Sequence, residues 1–309
     1  MPQLSSPPKA LVSLLSKGKQ RNEVFDAIPE GAERVLEIGY GDGCLLMRLM
    51  HQKNCSECYG MEINPSEVIG PYLEENWQID LTKEELPEKY KGFFNWVILH
   101  DVLEHIYNPW KFLGIINQYV AKGGRVVIVC PNAQYWEVPY ALLTGNWPLG
   151  KHGFWNEDHV RWFTFKTLNE LAIMAGFGVE TAFLQYPERV HEHKNEFEKV
   201  QKALGSSMLE LPLLGFPAGH MEDGLPFVSP TAAGAESLKL VLPKSAGETF
   251  PYIMAIKIML VCEKRGEPEL FDLKTGQMTK QRHAFYERIG VDELKKRHPG
   301  NIQVQIIRG

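Results

Sequence analysis

The sequence has no surplus of positive charge: 33 Lys and Arg stand against 38 Asp and Glu, a formal net charge of −5 at pH 7. No chain-wide basic field exists to hold nucleic acid or an anionic membrane, and nucleic acid is not expected as a partner. No apolar run approaches the ~20 residues of a membrane-spanning helix. The start, M-P-Q-L-S-S-P-P-K-A, lacks the basic segment and apolar stretch of a secretory signal. These absences predict a soluble, cytoplasmic protein. Cysteine is scarce. The five present, Cys44, Cys55, Cys58, Cys130 and Cys262, are odd in number and scattered through apolar segments, which fits reduced thiols better than a disulfide framework. Cys55 and Cys58 form a lone C-x-x-C without a second Cys or His pair at ligand spacing, and it reads as a loop running into a strand. No metal site is expected.

What is present is a repeating order of short apolar strands and helical periods. E-R-V-L-E-I reads as a strand, C-L-L-M-R-L-M-H as a helix, C-Y-G-M-E-I as a strand and P-S-E-V-I-G-P-Y-L as a short helix. W-Q-I-D-L is a brief strand, F-N-W-V-I-L-H a buried one, W-K-F-L-G-I-I-N-Q-Y-V a helix, and G-G-R-V-V-I-V-C-P-N another strand. This alternation predicts an α/β, doubly wound sheet covered by helices on both faces. Further on, Thr164 is a candidate N-cap and Gly176 a candidate C-terminal glycine for one more helix. Gly178 to Tyr186 reads as a strand, and P-Y-I-M-A-I-K-I-M-L-V-C-E-K as a last long one.

The chemistry begins at V-L-E-I-G-Y-G-D-G, Val35 to Gly43, where a strand ends in closely spaced glycines and opens a helix. Such a turn lets a ligand approach the backbone beside the unpaired N–H groups of a helix N-terminus. The dinucleotide fingerprint G-x-G-x-x-G would place its third glycine at Cys44, so nicotinamide binding loses ground. Glu37 sharpens the choice, because a carboxylate in the turn opposes a pyrophosphate and attracts a ligand carrying sulfonium and ammonium groups. Glu62 closes the second strand about twenty residues after the glycines, where an acid accepts ribose hydroxyls. Asp80 ends the third strand, within reach of an adenine amino group.

With these residues the sequence resembles the class I S-adenosylmethionine-dependent methyltransferases. The resemblance rests on V-L-E-I-G-Y-G-D-G, G-M-E-I-N, I-D-L, F-N-W-V-I-L-H with D-V-L-E-H-I-Y-N-P, and G-G-R-V-V-I-V-C-P-N, in order over residues 30 to 186. It implies a Rossmann-like sheet of seven strands, mostly parallel, with one antiparallel strand near the C-terminus. It implies that Glu37, Gly39, Tyr40, Gly41 and Gly43 surround the methionine part of S-adenosylmethionine, and that Glu62 with Ile63 holds ribose and adenine. Asp80 and Leu81 would border the adenine, and His100 with Asp101 would close the site. Glu104 and His105, one turn further, are read as packing and network residues. The product would be S-adenosylhomocysteine.

The acceptor side should lie in Leu143 to Leu168, after the fifth strand, where open α/β sheets bind ligands. D-H-V-R-W-F-T resembles a motif of a methyltransferase subgroup associated with polysaccharide, lipid and quinone biosynthesis. His159 is the first candidate for a base or orienting group, since imidazole titrates near neutrality. Asp158 would orient it, Arg161 would pair with an anionic acceptor group, and His152 is the second base candidate. A structural clasp made by His159 and Arg161 is the competing reading. Trp147, Trp155, Trp162 and Phe163 are read as lid and core packing or as a sugar-stacking platform.

The expected organisation is a helical lead-in over 1–30, with Lys9 to Leu15 and Val24 to Ile28 as one or two helical segments, a core over 31–186, an insertion over 187–250, a last core strand over 251–264 and a tail over 265–309. The insertion, with His191, His193 and His220, would serve as a lid or dimerisation element. The tail, ending I-Q-V-Q-I-I-R-G, has two destinations, an edge strand or a contact with a second copy in a homodimer. The functional expectation is O-methylation of a small-molecule or glycan-type acceptor by in-line displacement. The other classes weighed are a catalytically silent scaffold on the same fold and a nicotinamide-dependent oxidoreductase.

Overall fold

The computed structural model of the chain describes residues 21–135, 137–143, 145–185, 209–212, 237–240, 255–268 and 303–307. The expected helix at Lys9 to Leu15 and the residues His191, His193 and His220 lie outside these.

The element order begins with helix α1 (Asn22–Ala27), strand β1 (Val35–Ile38), helix α2 (Cys44–Gln52) and strand β2 (Cys58–Met61). Strands β3 (Glu75–Trp77) and β4 (Phe94–His100), helix α3 (Pro109–Tyr119) and strand β5 (Val120–Pro131) follow. Next come helices α4 (Glu137–Leu143) and α5 (Phe165–Met174) and strand β6 (Phe177–Gln185). The chain continues with β7 (Leu209–Pro212), β8 (Ser237–Leu240), β9 (Lys257–Lys264) and β10 (Gln303–Ile307).

The main sheet runs β10-β6-β9-β5-β4-β1-β2-β3. Its pairings are parallel except at β9, which lies antiparallel between β5 and β6. The seven expected strands and the single reversed one are all present. An eighth is added by the tail: β10 pairs parallel to β6 with Gln303 opposite Thr181. Within the stretch expected as an insertion, β7 and β8 form a separate antiparallel pair, Leu209 opposite Leu240.

The near-continuous apolar strands are explained by burial on both faces, with successive side chains alternating between two cores. Leu36, Val97, Leu99, Val126, Ile128, Ile258 and Leu260 face one core, with Phe112 and Ile116 of α3 and Leu168 and Leu171 of α5. Val35, Ile98, Val127, Val129, Met259 and Val261 face the other, with Val24 of α1 and Leu45, Leu46 and Leu49 of α2. The sheet is thus doubly wound. Helix α3 starts where Asn108 accepts the Lys111 N–H at 3.1 Å and Pro109 fills the first turn. Thr164 and Thr167 form the reciprocal cap of α5, and Gly176 (φ 85°) ends it as expected.

Two local expectations are corrected. The third strand covers Glu75–Trp77, not 77–81, because Trp77 stacks on Tyr59 (5.9 Å between ring centroids) and the chain then turns at Asp80. The segment 65–73 holds only a single 3-10 turn, Gly70–Tyr72; Pro65, Gly70 and Pro71 deny it the donors and rigidity of a longer helix.

Strand order reverses between β1 and β4: from β1 the chain proceeds outward to β2 and β3, and from β4 outward to β5. The carboxyl ends of β1 and β4 therefore flank the switch-point crevice where this architecture binds ligands.

Candidate active site

The loop leaving β1 crosses this crevice. Gly39, Gly41 and Gly43 all take left-handed conformations, with φ of 70°, 61° and 78°, which other residues enter at a cost of ~1–2 kcal/mol. Two are also sterically fixed. A Cβ on Gly39 would lie 2.9 Å from Val102 Cγ2, and one on Gly43 would lie 2.6 Å from two atoms of Ile69. At Gly41 the nearest atom, on Arg21, is 3.9 Å away, so that glycine opens the loop toward the crevice. The Gly39 N–H donates to the Met61 carbonyl at 2.8 Å, lashing the loop to β2.

Glu37 projects beneath the loop and is fully buried. Its Oε1 pairs with the Arg21 guanidinium at the start of α1, while its Oε2 has no hydrogen-bond partner. Burial pushes its carboxyl up to about 7 even against the pull of Arg21 and His100. Glu62 stands at the end of β2 as expected. Its Oε2 accepts the Gly41 N–H at 2.9 Å and its Oε1 the Ile63 N–H at 2.8 Å. The neighbouring Ile63 is 62% exposed, an apolar side chain held open at the rim.

Three further expected cofactor residues have their side chains engaged within the protein. The Tyr40 ring is buried, its hydroxyl donating to Asn76 Oδ1 at 3.0 Å and accepting the Ser66 N–H at 3.0 Å. Leu81 packs into the apolar core. Asp80 accepts from the Thr82 N–H at 2.9 Å and the Thr82 hydroxyl at 2.6 Å and pairs with Lys83 at 2.8 Å, all local contacts of a turn. The Lys83 and Thr82 hydrogen bonds hold its carboxyl below the ordinary value.

At the end of β4, His100 and Asp101 enter a partly buried chain of polar side chains that joins three elements. His100 Nε2 lies 3.3 Å from Glu23 Oε1 of α1, and its Nδ1 lies 3.2 Å from Asp101 Oδ2. The same Asp101 oxygen pairs with Lys257 at the start of β9. Burial works to raise both acids, but His100 holds Glu23 below its usual value, and His100 with Lys257 holds Asp101 well below. Asp101 sits at φ 55°, a left-handed position unusual for a residue with a side chain. Its N–H donates to the Val129 carbonyl at 3.0 Å, which secures the turn.

On the acceptor side the chain after β5 returns over β4. The Val160 and Arg161 N–H groups donate to the Glu104 carbonyl at 2.9 and 3.0 Å. His159 donates from Nδ1 to the Phe154 carbonyl at 3.0 Å, and His105 from Nδ1 to the Asp158 carbonyl at 3.2 Å. Each ring is thereby fixed in the tautomer whose Nε2 carries the lone pair. The two rings meet edge to face, 4.8 Å between centroids. Burial and the neighbouring His105 keep His159 below its ordinary pKa. Phe154, Trp155, Trp162 and Trp147 form a cluster of mutually inclined rings beside them, with centroids 5.0–5.6 Å apart.

This arrangement changes the expected division of labour. The group that orients His159 is the Phe154 carbonyl, not Asp158. Arg161 donates both from Nε, at 2.9 Å, and from Nη2 to the Tyr107 carbonyl and stacks 4.9 Å from the Tyr107 ring, so it clasps the loop instead of facing an anion. His152 is exposed, and no contact among the described residues brings it to His159. Phe163 is buried in the core. Cys55 and Cys58 are buried free thiols; burial raises both, Cys58 strongly.

Sequence reasoning missed Arg21, Glu23 and Lys257, which complete the crevice from outside the recognised motifs. It also left Glu104 among packing residues. Glu104 is 1% exposed, and burial with the Asp101 charge pushes it up to about 8.

Against this geometry the comparisons with known proteins are informative. The methyltransferase-domain family is matched over residues 9–182, more than half of the chain. The chain belongs to that family. No curated protein matches this methyltransferase by sequence. Among solved structures, a SAM-dependent methyltransferase from Archaeoglobus fulgidus is similar at 14% identity and TM-score 0.44, over 83% of this chain and 100% of that one. An S-adenosylmethionine-dependent methyltransferase from Mesorhizobium loti is similar at 13% identity and TM-score 0.46, over 80% and 99%. Phosphoethanolamine N-methyltransferase 2 of Haemonchus contortus, solved with S-adenosyl-L-methionine, is similar at 15% identity and TM-score 0.42, over 83% and 52%. Among the described residues of this methyltransferase, no helix is long and apolar enough to cross a membrane.

Proposed function

We propose that this methyltransferase uses S-adenosylmethionine to methylate an oxygen of a small-molecule or glycan-type acceptor. The observation that carries the reading is Glu37: a fully buried carboxylate beneath a glycine turn, with one oxygen paired to Arg21 and the other without a partner. A buried acceptor atom left unsatisfied costs about 1–3 kcal/mol, and a ligand ammonium relieves that cost where a pyrophosphate would raise it. The loop fits such a ligand, since Gly41 has open space where a side chain would intrude.

When bound, the donor supplies an electrophilic methyl group on a sulfonium. The chain's own residues hold and align the reactants. Glu62 accepts from the ribose hydroxyls with the lone pairs left beside the Gly41 contact, and Ile63 covers the adenine. Asp101, kept ionised by His100 and Lys257, fixes the negative potential at the end of β4. The ring cluster of Phe154, Trp155 and Trp162 excludes water from the acceptor side, and half-exposed Trp147 offers a face for a sugar or flat ring. An alcohol must lose its proton during attack. His159, unprotonated at neutral pH and presenting Nε2, is the group to take it.

Titration calorimetry with S-adenosylmethionine, S-adenosylhomocysteine and NAD tests the cofactor. Binding of the first two and indifference to NAD is the expected result; the reverse would overturn the reading. Incubation with radiolabelled methyl donor and an extract of the source cell then identifies the acceptor, and a product labelled on carbon or nitrogen would refute the oxygen assignment.

A further inference from the structure

We propose that Glu104, His105 and His159 form a divalent-cation site at the acceptor mouth. The ligand atoms of these three side chains all lie within 4.8 Å of one another. The three come from two segments more than fifty residues apart, the short turn Leu103–His105 after β4 and the loop before α5. Those segments are stitched together by the Val160 and Arg161 N–H groups on the Glu104 carbonyl, so the cluster is part of the fold and not an accident of exposed side chains.

The independent observation is the state of Glu104. It is 1% exposed, and neither carboxylate oxygen has a hydrogen-bond partner of good geometry; the Cys130 thiol and its own backbone N–H lie close enough to favour the charged form, but less than burial opposes it. An ionised carboxylate accepts at about four positions, and burying one with most of them unused is costly unless something occupies them. The nearby cation, Lys257, is already paired to Asp101. A cation between Glu104 and the two imidazoles supplies the missing partner.

The histidines are prepared for the same task. Metal-bound histidine donates its second ring N–H to a carbonyl or carboxylate, which sets the tautomer and the ring plane. His105 does so to Asp158 and His159 to Phe154. Both Nε2 lone pairs are left to coordinate. Two imidazoles and one carboxylate suit zinc or another first-row divalent ion better than magnesium or calcium, which prefer all-oxygen shells. Bond lengths of about 2.0–2.2 Å require the three groups to draw together from their present spacing by side-chain rotation.

Three protein ligands leave at least one coordination position open. On the methyltransferase reading, on which this part rests, the open position takes an acceptor oxygen. With the ion bound, the His159 lone pair is a ligand and the ion replaces His159 as the group that promotes deprotonation: it lowers the pKa of a hydroxyl it binds, and the proton passes to solvent. The site therefore selects acceptors that bring an oxygen donor, hydroxyl compounds with a second oxygen close enough to chelate.

The test is metal binding itself. Metal-stripped full-length protein is titrated with Zn²⁺ alone by calorimetry, beside Glu104→Gln and His105→Asn, with S-adenosylhomocysteine affinity measured on all three. The wild type should take up one equivalent saturably, and each variant should bind at least about tenfold more weakly with the nucleoside affinity retained. His105 is exposed, so His105→Asn carries the test even where Glu104→Gln fails to fold. Absence of stoichiometric uptake by the wild type, or equal affinity in His105→Asn, would overturn the proposal. A chain that binds zinc and ignores S-adenosylhomocysteine keeps the metal site and loses the transferase reading; the opposite outcome does the reverse.

Discussion

Replacing Glu62 by alanine separates the cost of losing a cofactor ligand from the cost of loosening the loop. In the structure its carboxylate accepts the N–H groups of Gly41 at 2.9 Å, Ile63 at 2.8 Å and Asn64 at 3.3 Å. All three contacts are exposed, so the freed N–H groups turn to water, and the stability lost is at most about 1 kcal/mol. A ribose hydroxyl bound there is different. The ligand shields the contact, and a hydrogen bond to a charged group contributes about 1.5–3 kcal/mol, so Kd for S-adenosylhomocysteine should rise roughly 10- to 150-fold. Glu62→Gln keeps one acceptor oxygen and should fall between. Calorimetric titration gives the affinity, and the urea midpoint measured on the same preparations gives the stability. A Kd within about twofold of wild type would refute the ribose assignment. A weakening matched by an equal fall in stability would reduce Glu62 to a brace for Gly41.

Glu37 gives a pH signature. Its folded-state pKa, about 7, lies above the ordinary glutamate value of 4.5, so between those values the folded chain holds a proton that the unfolded chain has lost. Stability should fall as pH rises through that window, by roughly 3 kcal/mol for this group alone. Glu37→Gln should remove that part of the decline in urea melts at pH 5 and pH 8; an identical pH dependence in both proteins would contradict the assignment. Gly43→Ala combines a left-handed backbone with a 2.6 Å approach to Ile69, and should destabilise by about 2–5 kcal/mol. Adding Ile69→Ala should relieve the steric share, and no recovery in the double variant would place the whole effect in the backbone. His159→Ala should slow methyl transfer by roughly 10²-fold or more with nucleoside affinity retained; wild-type turnover across the pH range would make His159 a packing residue.

The core was legible because its signals are local. Doubly buried strands such as Phe94–His100 must be apolar throughout, and the caps at Thr164 and Gly176 announce the ends of α5. The glycine turn was legible for the same reason, since left-handed backbone at Gly39, Gly41 and Gly43 leaves no other economical residue. Strand β3 was misplaced because a three-residue edge strand is fixed by the stacking of Trp77 on Tyr59, a contact across the sheet. The acceptor side was only half legible. Its residue types were right, but whether Asp158 or the Phe154 carbonyl orients His159, and whether Arg161 faces a ligand or the Tyr107 carbonyl, depends on how an irregular loop folds. Arg21 and Lys257 carry no local signal at all, since each acquires its partner only when α1 and β9 close over the sheet.

Strand β9 has a consequence for biosynthesis. It wedges between β5 and β6, so a nascent chain that has emerged only as far as Gln185 carries two open edges where one continuous ladder belongs. Unpaired edges invite pairing with other chains. Asp101 meanwhile waits for an ammonium group 156 residues downstream. Translation past Lys264 is thus the moment at which the gap between β5 and β6 can close and Asp101 gains its cation, while the outer edge of β6 is covered only later by β10; chains stalled before Lys264 are the ones chaperones would have to shelter.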